Sequence, residues 1–271
     1  MSPTRSLFRF ELAAARRGRA VPLVALGFAL AAMTITLVGL AAGGVVAVQG
    51  FARTSVSLLQ LVVWAVPLVA LLTGAVAGSE CHDLEFVVAL PLPRRSVVLA
   101  RWLAWMVILG GALLLGLGGA GILIALLSGG ADGWRYLRLI GVTGLVLAAS
   151  LAIGLAVGVA ARTRLRALGV AMAVWLVLVV GVDLVAIGAL AMLPPHRAGW
   201  GLTLLLMADP IDSARALGLG LFHADVVAGP TGAALRRVLS GAGAWVLAAA
   251  MVAWTVVPLA LAGWRFGRSD L

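Results

Sequence analysis

The sequence contains no lysine, because all twenty of its basic residues are arginine. A P-loop of the Gly-x-x-x-x-Gly-Lys type needs that lysine to reach the β- and γ-phosphates of a nucleotide, so this chain has no such loop. If the protein works with ATP, another chain must bind and hydrolyse it. Cys81 is the single cysteine, which excludes an intrachain disulfide.

Charged residues are also scarce, at 11% of 271 residues, whereas hydrophobic residues make up 63%. Soluble domains carry about 25% charged residues, so this composition excludes an ordinary soluble protein. Several apolar runs exceed the roughly 18 residues that identify a transmembrane helix. The formal net charge of +10 then reflects arginines at the ends of membrane spans and anionic lipid headgroups, and it requires no nucleic-acid partner.

Residues suited to metal binding or catalysis are few. The three histidines, His82, His196 and His223, have no metal-ligand spacing, and we predict no metal site. An intramembrane enzyme would need a nucleophile and a base, or a metal triad, facing each other within spans, and no histidine lies in a predicted span. A secondary transporter usually shows inverted repeats and interrupted helices, and neither is visible here.

Six apolar segments predict one all-α, polytopic membrane domain over residues 1–271. The predicted spans are 21–42, 56–78, 97–127, 137–161, 168–192 and 241–264. Residues 3–19 precede them as a basic amphipathic helix at the membrane interface. The apolar region of a signal peptide has only about 7–15 residues, so 21–42 is interpreted as an uncleaved span. In the fourth span, Gly154 and Gly158 form a Gly-x-x-x-Gly pair that indicates a helix–helix contact.

An even number of spans places both termini on the same side of the membrane. Of the twenty arginines, 13 lie on that side and 7 on the other. The positive-inside rule therefore predicts cytoplasmic termini. The same topology puts residues 79–101 inside, where ATP is, and residues 194–239 outside.

A dense group of charges, residues 79–101, separates the second and third predicted spans. Its charged residues are Glu80, Asp83, Glu85, Arg94, Arg95 and Arg101. Pro91 and Pro93 end any helix that starts at the acidic residues, because proline lacks an N–H and restricts the preceding residue. The pattern predicts a short amphipathic helix that another protein can contact. The alternative is an ordinary loop that its arginines hold at the interface.

Residues 84–101 resemble the cytoplasmic loop of ABC-2 type transporter permeases. The matching residues are Leu84, Glu85, Phe86, Val87, Val88, Ala89, Pro91, Leu92, Arg94, Val98, Leu99 and Arg101. In that family the loop carries the coupling helix that docks on a separate ATPase subunit. The resemblance thus implies ATPase-coupling roles for Glu80, Asp83, Leu84, Glu85, Phe86 and Arg94. Two positions depart from the family pattern. His82 and Asp83 replace the usual Gly-Thr pair, and Pro93 replaces a usual Ser. Asp83 can still cap a helix as Thr would.

The fifth span contains Asp183, the one acid that we place within a membrane span. A central aspartate costs about 2.5–3.5 kcal/mol on insertion scales. It should therefore face the bundle interior, a water-filled cavity or a partner subunit. Three roles fit this position: a place on a transport path, an ion pair with an arginine such as Arg138, or a structural hydrogen bond to a neighbouring helix.

The largest non-spanning segment, residues 194–239, begins with an apolar stretch, 201–207, that is too short to cross a membrane. Asp209, Pro210 and Asp212 then form a typical helix start, as the N-cap, the first and the third helical residue. The segment predicts a re-entrant or interface-lying helical pair at the outer face.

Two stretches resemble one group within the family, the permeases of nitrous oxide reductase maturation systems. One, in the loop predicted before the second span, holds Phe51, Arg53, Thr54, Ser57, Leu58 and Leu61. The other holds Asp209, Pro210, Asp212 and Arg215. It resembles that group's pattern Asn-Pro-x-Asp-x-Phe-Arg, in which Asp209 replaces Asn and Ala214 replaces Phe. The similarity implies a homodimer in the bacterial inner membrane, a separate ATPase that holds ATP and Mg²⁺, and a periplasmic β-helix partner in copper-site assembly. The alternative within the family is a generic ABC-2 exporter of lipid, glycan or drug.

Overall fold

The structure is a computed structural model, and it describes residues 8–9, 12–13, 20–42, 47–81, 94–128, 133–185, 188, 198–221 and 242–268. All regular elements in these ranges are helices, which confirms the predicted all-α class. The helices are α1 (Ala20–Ala42), α2 (Ala47–Ser79), α3 (Arg94–Ser128), α4 (Gly133–Ala161), α5 (Arg164–Val185, with a π-helical turn at Val177–Gly181), α6 (Ala198–Ala208), α7 (Pro210–Leu221) and α8 (Gly243–Arg268).

Within the described ranges, five helical segments are long and apolar enough to cross a membrane. They are Val56–Ser79, Arg95–Ile122, Tyr136–Ala161, Arg164–Val185 and Gly243–Arg268, and they correspond to the second to sixth predicted spans. The helix α1, which corresponds to the first predicted span, has 23 residues. The six-span count stays a prediction, as does the interfacial place of the N-terminal helix.

The helices α2 to α5 all begin earlier than the predicted spans. The helix α2 starts at Ala47, so the stretch 51–55 that was predicted as a loop is helical, and α2 continues through Pro67. The helix α3 starts at Arg94 rather than at residue 97. Near a membrane, a continued helix satisfies backbone N–H and C=O groups that a loop would leave open, so polar residues at a span end do not have to break it.

The closest contact in the bundle joins α2 to α4. Gly74 and Gly78 on α2 face Gly154 and Gly158 on α4, and a Cβ atom on Gly158 would overlap the carbonyl oxygen of Ala75. Because these positions have no side chains, the two backbones approach directly. The contact predicted from the α4 glycine pair is therefore confirmed, and α4 is the most buried of the five spans.

The two ends of the bundle differ in charge. One end, called the basic end below, carries Arg95, Arg101, Arg162, Arg164, Arg166, Arg265 and Arg268. A buried apolar cluster joins α2, α3, α4 and α8 there, with Phe8 of the N-terminal segment packed against it: Ala77, Cys81, Val97, Val98, Ala100, Leu155, Val159, Ala262 and Phe266. Phe8 therefore lies at the basic end.

The helices α6 and α7 form a pair that enters the bundle from the opposite end. With 11 and 12 residues, each extends about 17 Å and cannot cross a hydrocarbon core of about 30 Å. Trp254, in the middle of α8, donates its indole N–H to the carbonyl oxygen of Met207 at 3.0 Å, so α6 ends at mid-depth. Gly218 on α7 packs against Leu59 near the opposite end of α2. We call α6 and α7 the re-entrant pair below, because their tip lies at mid-depth of the bundle.

Candidate functional site

The tip of the re-entrant pair is Asp209, the one residue between α6 and α7. Its Oδ1 atom accepts a hydrogen bond from the Ile211 N–H at 2.7 Å, and α7 begins at Pro210. The predicted N-cap and first helical residue are thus confirmed. The Ser213 hydroxyl donates a hydrogen bond to the carbonyl oxygen of Leu206 at 2.5 Å, which ties α7 back to α6.

The side chain of Asp209 is fully buried. Its Oδ2 atom has no hydrogen-bond partner within the described part of the chain. An unpartnered carboxyl oxygen is costly to bury, so Asp209 is a polar group that is held inside an apolar bundle by its role as the cap of α7.

Arg215 joins the re-entrant pair to α5. Its Nη1 atom lies 3.1 and 3.2 Å from the two carboxylate oxygens of Asp183 and 2.9 Å from Oδ1 of Asp212. Asp212 lies one turn earlier on the same helix, whereas Asp183 lies on α5. The Arg215 side chain is only 24% exposed, so the arrangement holds one largely buried cation between two carboxylates.

Of the three roles that fit Asp183, the structure shows an ion pair, but its partner is Arg215 and not Arg138. The guanidinium carbon of Arg138 lies 5.3 Å from the centroid of the Trp134 ring, which is a cation–π geometry. The prediction missed the partner because Arg215 follows Asp183 by 32 residues, in a segment assigned wholly to the outside. One sequence signal does point to Arg215 as the partner. It is a charged residue on a short helix that begins with proline.

A second group of polar contacts lies at the basic end, between the end of α2 and the start of α3. Arg101 is buried, and its Nη1 atom donates to the carbonyl oxygen of Ala77 at 2.7 Å and contacts Sγ of Cys81 at 3.4 Å. The last carbonyl groups of a helix have no partner within that helix. Arg101 therefore fastens the end of α2 to α3. From the sequence, Arg101 was predicted only as the last charged residue of the segment 79–101. A lone arginine in an apolar helix also predicts a buried partner.

Most of the predicted ATPase-coupling segment lies outside the described residues, including Asp83, Leu84, Glu85 and Phe86. Glu80 is an exposed turn residue directly after α2, and Arg94 is the first residue of α3. The segment is therefore joined at both of its ends to the basic end of the bundle, next to the Arg101 contacts.

The described residues hold no group of three or more His, Cys, Asp or Glu side chains that could bind a metal ion. An apolar cavity of about 290 Å³ lies among the first four helices. Its lining residues are Gly27, Phe28, Ala31, Leu61, Ala65, Val66, Val69, Leu109, Ala112, Leu113 and Leu147. With no polar side chain in its wall, the cavity suits a hydrocarbon group.

Comparison with known proteins identifies this bundle. The family model for ABC-2 family transporter proteins matches residues 23–271. The chain belongs to the ABC-2 transporter family. A chain named "Probable ABC transporter permease protein NosY" from Pseudomonas aeruginosa is 30% identical to it over 273 residues, which cover 98% of each protein. The chain of the same name from Stutzerimonas stutzeri is 29% identical over 277 residues, which cover 97% of each.

Membership of this family makes the chain the permease subunit of an ABC transporter, and such a subunit works with an ATP-binding subunit. The α2–α4 glycine contact, the re-entrant pair and the Arg101 contacts are therefore features of a permease. The first two organise the membrane part, and the third lies beside the segment that resembles the coupling loop.

Proposed function

We propose that this permease serves the maturation of nitrous oxide reductase, as part of an ATP-driven machine for copper-site assembly. The observation that carries the proposal is the nearly full-length similarity to two chains named NosY. The sequence at Asp209 and Pro210 resembles that group's pattern. It has a structural role in the bundle, because Asp209 caps α7. The site of copper chemistry lies on other proteins of the assembly.

The separate ATP-binding subunit, with its ATP and Mg²⁺, docks at the basic end. The segment between Ser79 and Arg94 joins α2 to α3 there, and the excess of arginine at this end favours a cytoplasmic side by the positive-inside rule. In this assignment Glu80, Asp83, Glu85 and Arg94 supply the charged contacts. Leu84 and Phe86 supply the apolar ones. Both termini are cytoplasmic, and the protein lies in the bacterial inner membrane.

The permease works as a homodimer with α5 at the contact between the two copies. Only 11% of the apolar window of α5 is buried within one chain, against 33–56% for the other four spans. Its large exposed side chains, which include Leu165, Leu176, Val177, Leu184 and Val185, form a surface that a second copy or lipid must cover. The family resemblance favours the second copy.

A periplasmic β-helix protein then contacts the end opposite to the basic end, where the re-entrant pair opens. Arg215 is engaged with Asp183 and Asp212, so it has little capacity to contact that partner directly. Its role in partner binding is to hold α7 in position. Arg215→Ala should still release the periplasmic subunit, because α7 loses its connection to α5.

The second candidate function is a generic ABC-2 exporter of an apolar cargo such as a lipid. The observation that favours it is the wholly apolar cavity of about 290 Å³, which offers a hydrocarbon chain a place inside the bundle. A generic exporter would recruit the ATP-binding subunit in the same way, but it would have no dedicated periplasmic subunit.

Recovery of partners from native membranes separates these functions. Tagged wild-type permease should recover an ATP-binding subunit and a periplasmic β-helix protein, and the purified permease alone should hydrolyse no ATP. Glu85→Ala combined with Arg94→Ala should reduce recovery of the ATP-binding subunit at least about fivefold, since about 1 kcal/mol per charged contact is lost. Membrane insertion should be unchanged, and Arg164→Ala with Arg166→Ala, two exposed arginines at the same end, is the matched control.

Recovery of the ATP-binding subunit without any periplasmic protein would favour the generic exporter. Unchanged recovery in the Glu85 and Arg94 double variant would show that the segment is an ordinary loop.

A further inference from the structure

The helix α5 has two faces that contact different parts of the proposed complex. Its outer face is the most exposed apolar surface among the five spans, and it is the contact with a second copy in the proposed function. Its inner side lies near the re-entrant pair, where Asp183 meets Arg215. A movement of α5 at the contact between copies therefore has a direct route to α7.

A π-helical turn determines which way Asp183 points. In the turn Val177–Gly181, the N–H of Val182 donates to the carbonyl oxygen of Val177, five residues earlier. Such turns contain one additional residue and frequently mark functional sites. In an uninterrupted α-helix Asp183 would lie about 120° around the axis from the buried residue Ala171, and the additional residue reduces this angle to about 20°. The turn thus moves Asp183 towards the side of α5 that carries Ala171, where it reaches Arg215 with 43% of its side chain exposed.

The side chain of Arg215, which pairs with Asp183, is held in place by a residue on its own helix. Asp212 lies 2.9 Å from Nη1 of Arg215, one turn away on α7, which limits the rotamers of Arg215. Asp183 lies 3.1 Å from the same atom on a different helix. In a medium of low dielectric, separating this second pair leaves a charge unpaired at high cost, so α7 should follow α5 when α5 moves.

We propose that Asp183 and Arg215 are positioning residues that transmit movement of α5, at the contact between permease copies, to the re-entrant pair. The inference rests on the proposed two-copy permease with its ATP-binding subunit. It assigns a mechanical role to the π turn, which keeps Asp183 within reach of Arg215. The contact between Asp212 and Arg215 is local to α7 and does not carry the movement.

The test measures a distance in the complete permease–ATPase complex in lipid nanodiscs. A spin label at Leu204→Cys, an exposed position on α6, reports the separation of the two re-entrant pairs by double electron–electron resonance. The native Cys81 is buried and stays unlabelled. ATP with Mg²⁺ and vanadate should shift the distance in wild type. Asp183→Asn should reduce that shift at least twofold while ATP hydrolysis continues.

Three further variants make the result specific. Asp212→Asn also removes one carboxylate from Arg215, but on the same helix, and it should keep the full shift. Deletion of Val180 should convert the π turn to regular helix and repeat the Asp183→Asn result. The exchange Asp183→Arg with Arg215→Asp preserves the total charge and should restore the shift.

Each outcome decides between the alternatives. A full shift in Asp183→Asn, or no shift in a wild-type complex that hydrolyses ATP, would overturn the inference. A loss in Asp183→Asn that the charge exchange does not restore would also overturn it, because the effect would then be local damage to the fold. Failure of the wild-type permease to bind any ATP-binding subunit would instead contradict the proposed function.

Discussion

Replacement of Gly154 and Gly158 together by valine is expected to prevent the permease from folding. A Cβ atom at Gly154 would overlap the carbonyl oxygen of Leu71, and one at Gly158 would overlap that of Ala75. Overpacking with side-chain atoms costs about 1–3 kcal/mol per site. Here the obstructing atoms belong to the backbone of α2 and no rotamer change can remove them, so the cost should exceed that range.

Size-exclusion chromatography of the extracted protein measures the effect. The double variant should reduce the monodisperse fraction about tenfold or more, because a cost above about 1–3 kcal/mol at each of two sites removes most of the roughly 5–15 kcal/mol by which proteins are stable. The matched control is Gly141→Val with Gly144→Val, at two positions of α4 where an added Cβ atom meets no atom within 4 Å. A normal elution profile for the Gly154 and Gly158 variant would show that the α2–α4 contact does not determine the fold.

The same interface shows how far the sequence predicts the fold. The spacing of Gly154 and Gly158 predicts a close helix contact, and the structure confirms it. Gly74 and Gly78 on α2 have the same spacing, but many other glycines also lie in the spans. Only the packing of the bundle shows that these two pairs meet.

The re-entrant pair also has some features that local sequence predicts and others that depend on long-range packing. The start of α7 follows from local chemistry, because an aspartate N-cap followed by proline specifies a helix start in any context. The partner of Asp183 depends on the depth of α7 in the bundle and on the rotation that the π turn adds to α5. No local pattern encodes either quantity, so Arg138 was a reasonable but wrong partner.

Arg101→Ala should remove the ATP-binding subunit from an otherwise folded permease. Arg101 donates to the Ala77 carbonyl oxygen at 2.7 Å and contacts Cys81, so it fixes the end of α2 against α3. These are the two helices that flank the segment proposed to dock on the ATP-binding subunit. Loss of a buried hydrogen bond to a charged group costs about 1.5–3 kcal/mol, and the Ala77 carbonyl oxygen keeps the weaker hydrogen bond from the Cys81 thiol.

This damage is local, because the α2–α4 glycine contact does not involve Arg101. Membrane insertion and the elution profile of Arg101→Ala should therefore resemble those of wild type, whereas recovery of the ATP-binding subunit should fall about tenfold or more. Arg95→Ala is the matched control, since it removes an exposed arginine from the first turn of the same helix. Arg101→Lys should restore binding only in part, because a lysine ammonium is more strongly hydrated than a guanidinium and is therefore more costly to bury at this position. Wild-type recovery with Arg101→Ala would mean that the coupling segment keeps its docking geometry without this arginine.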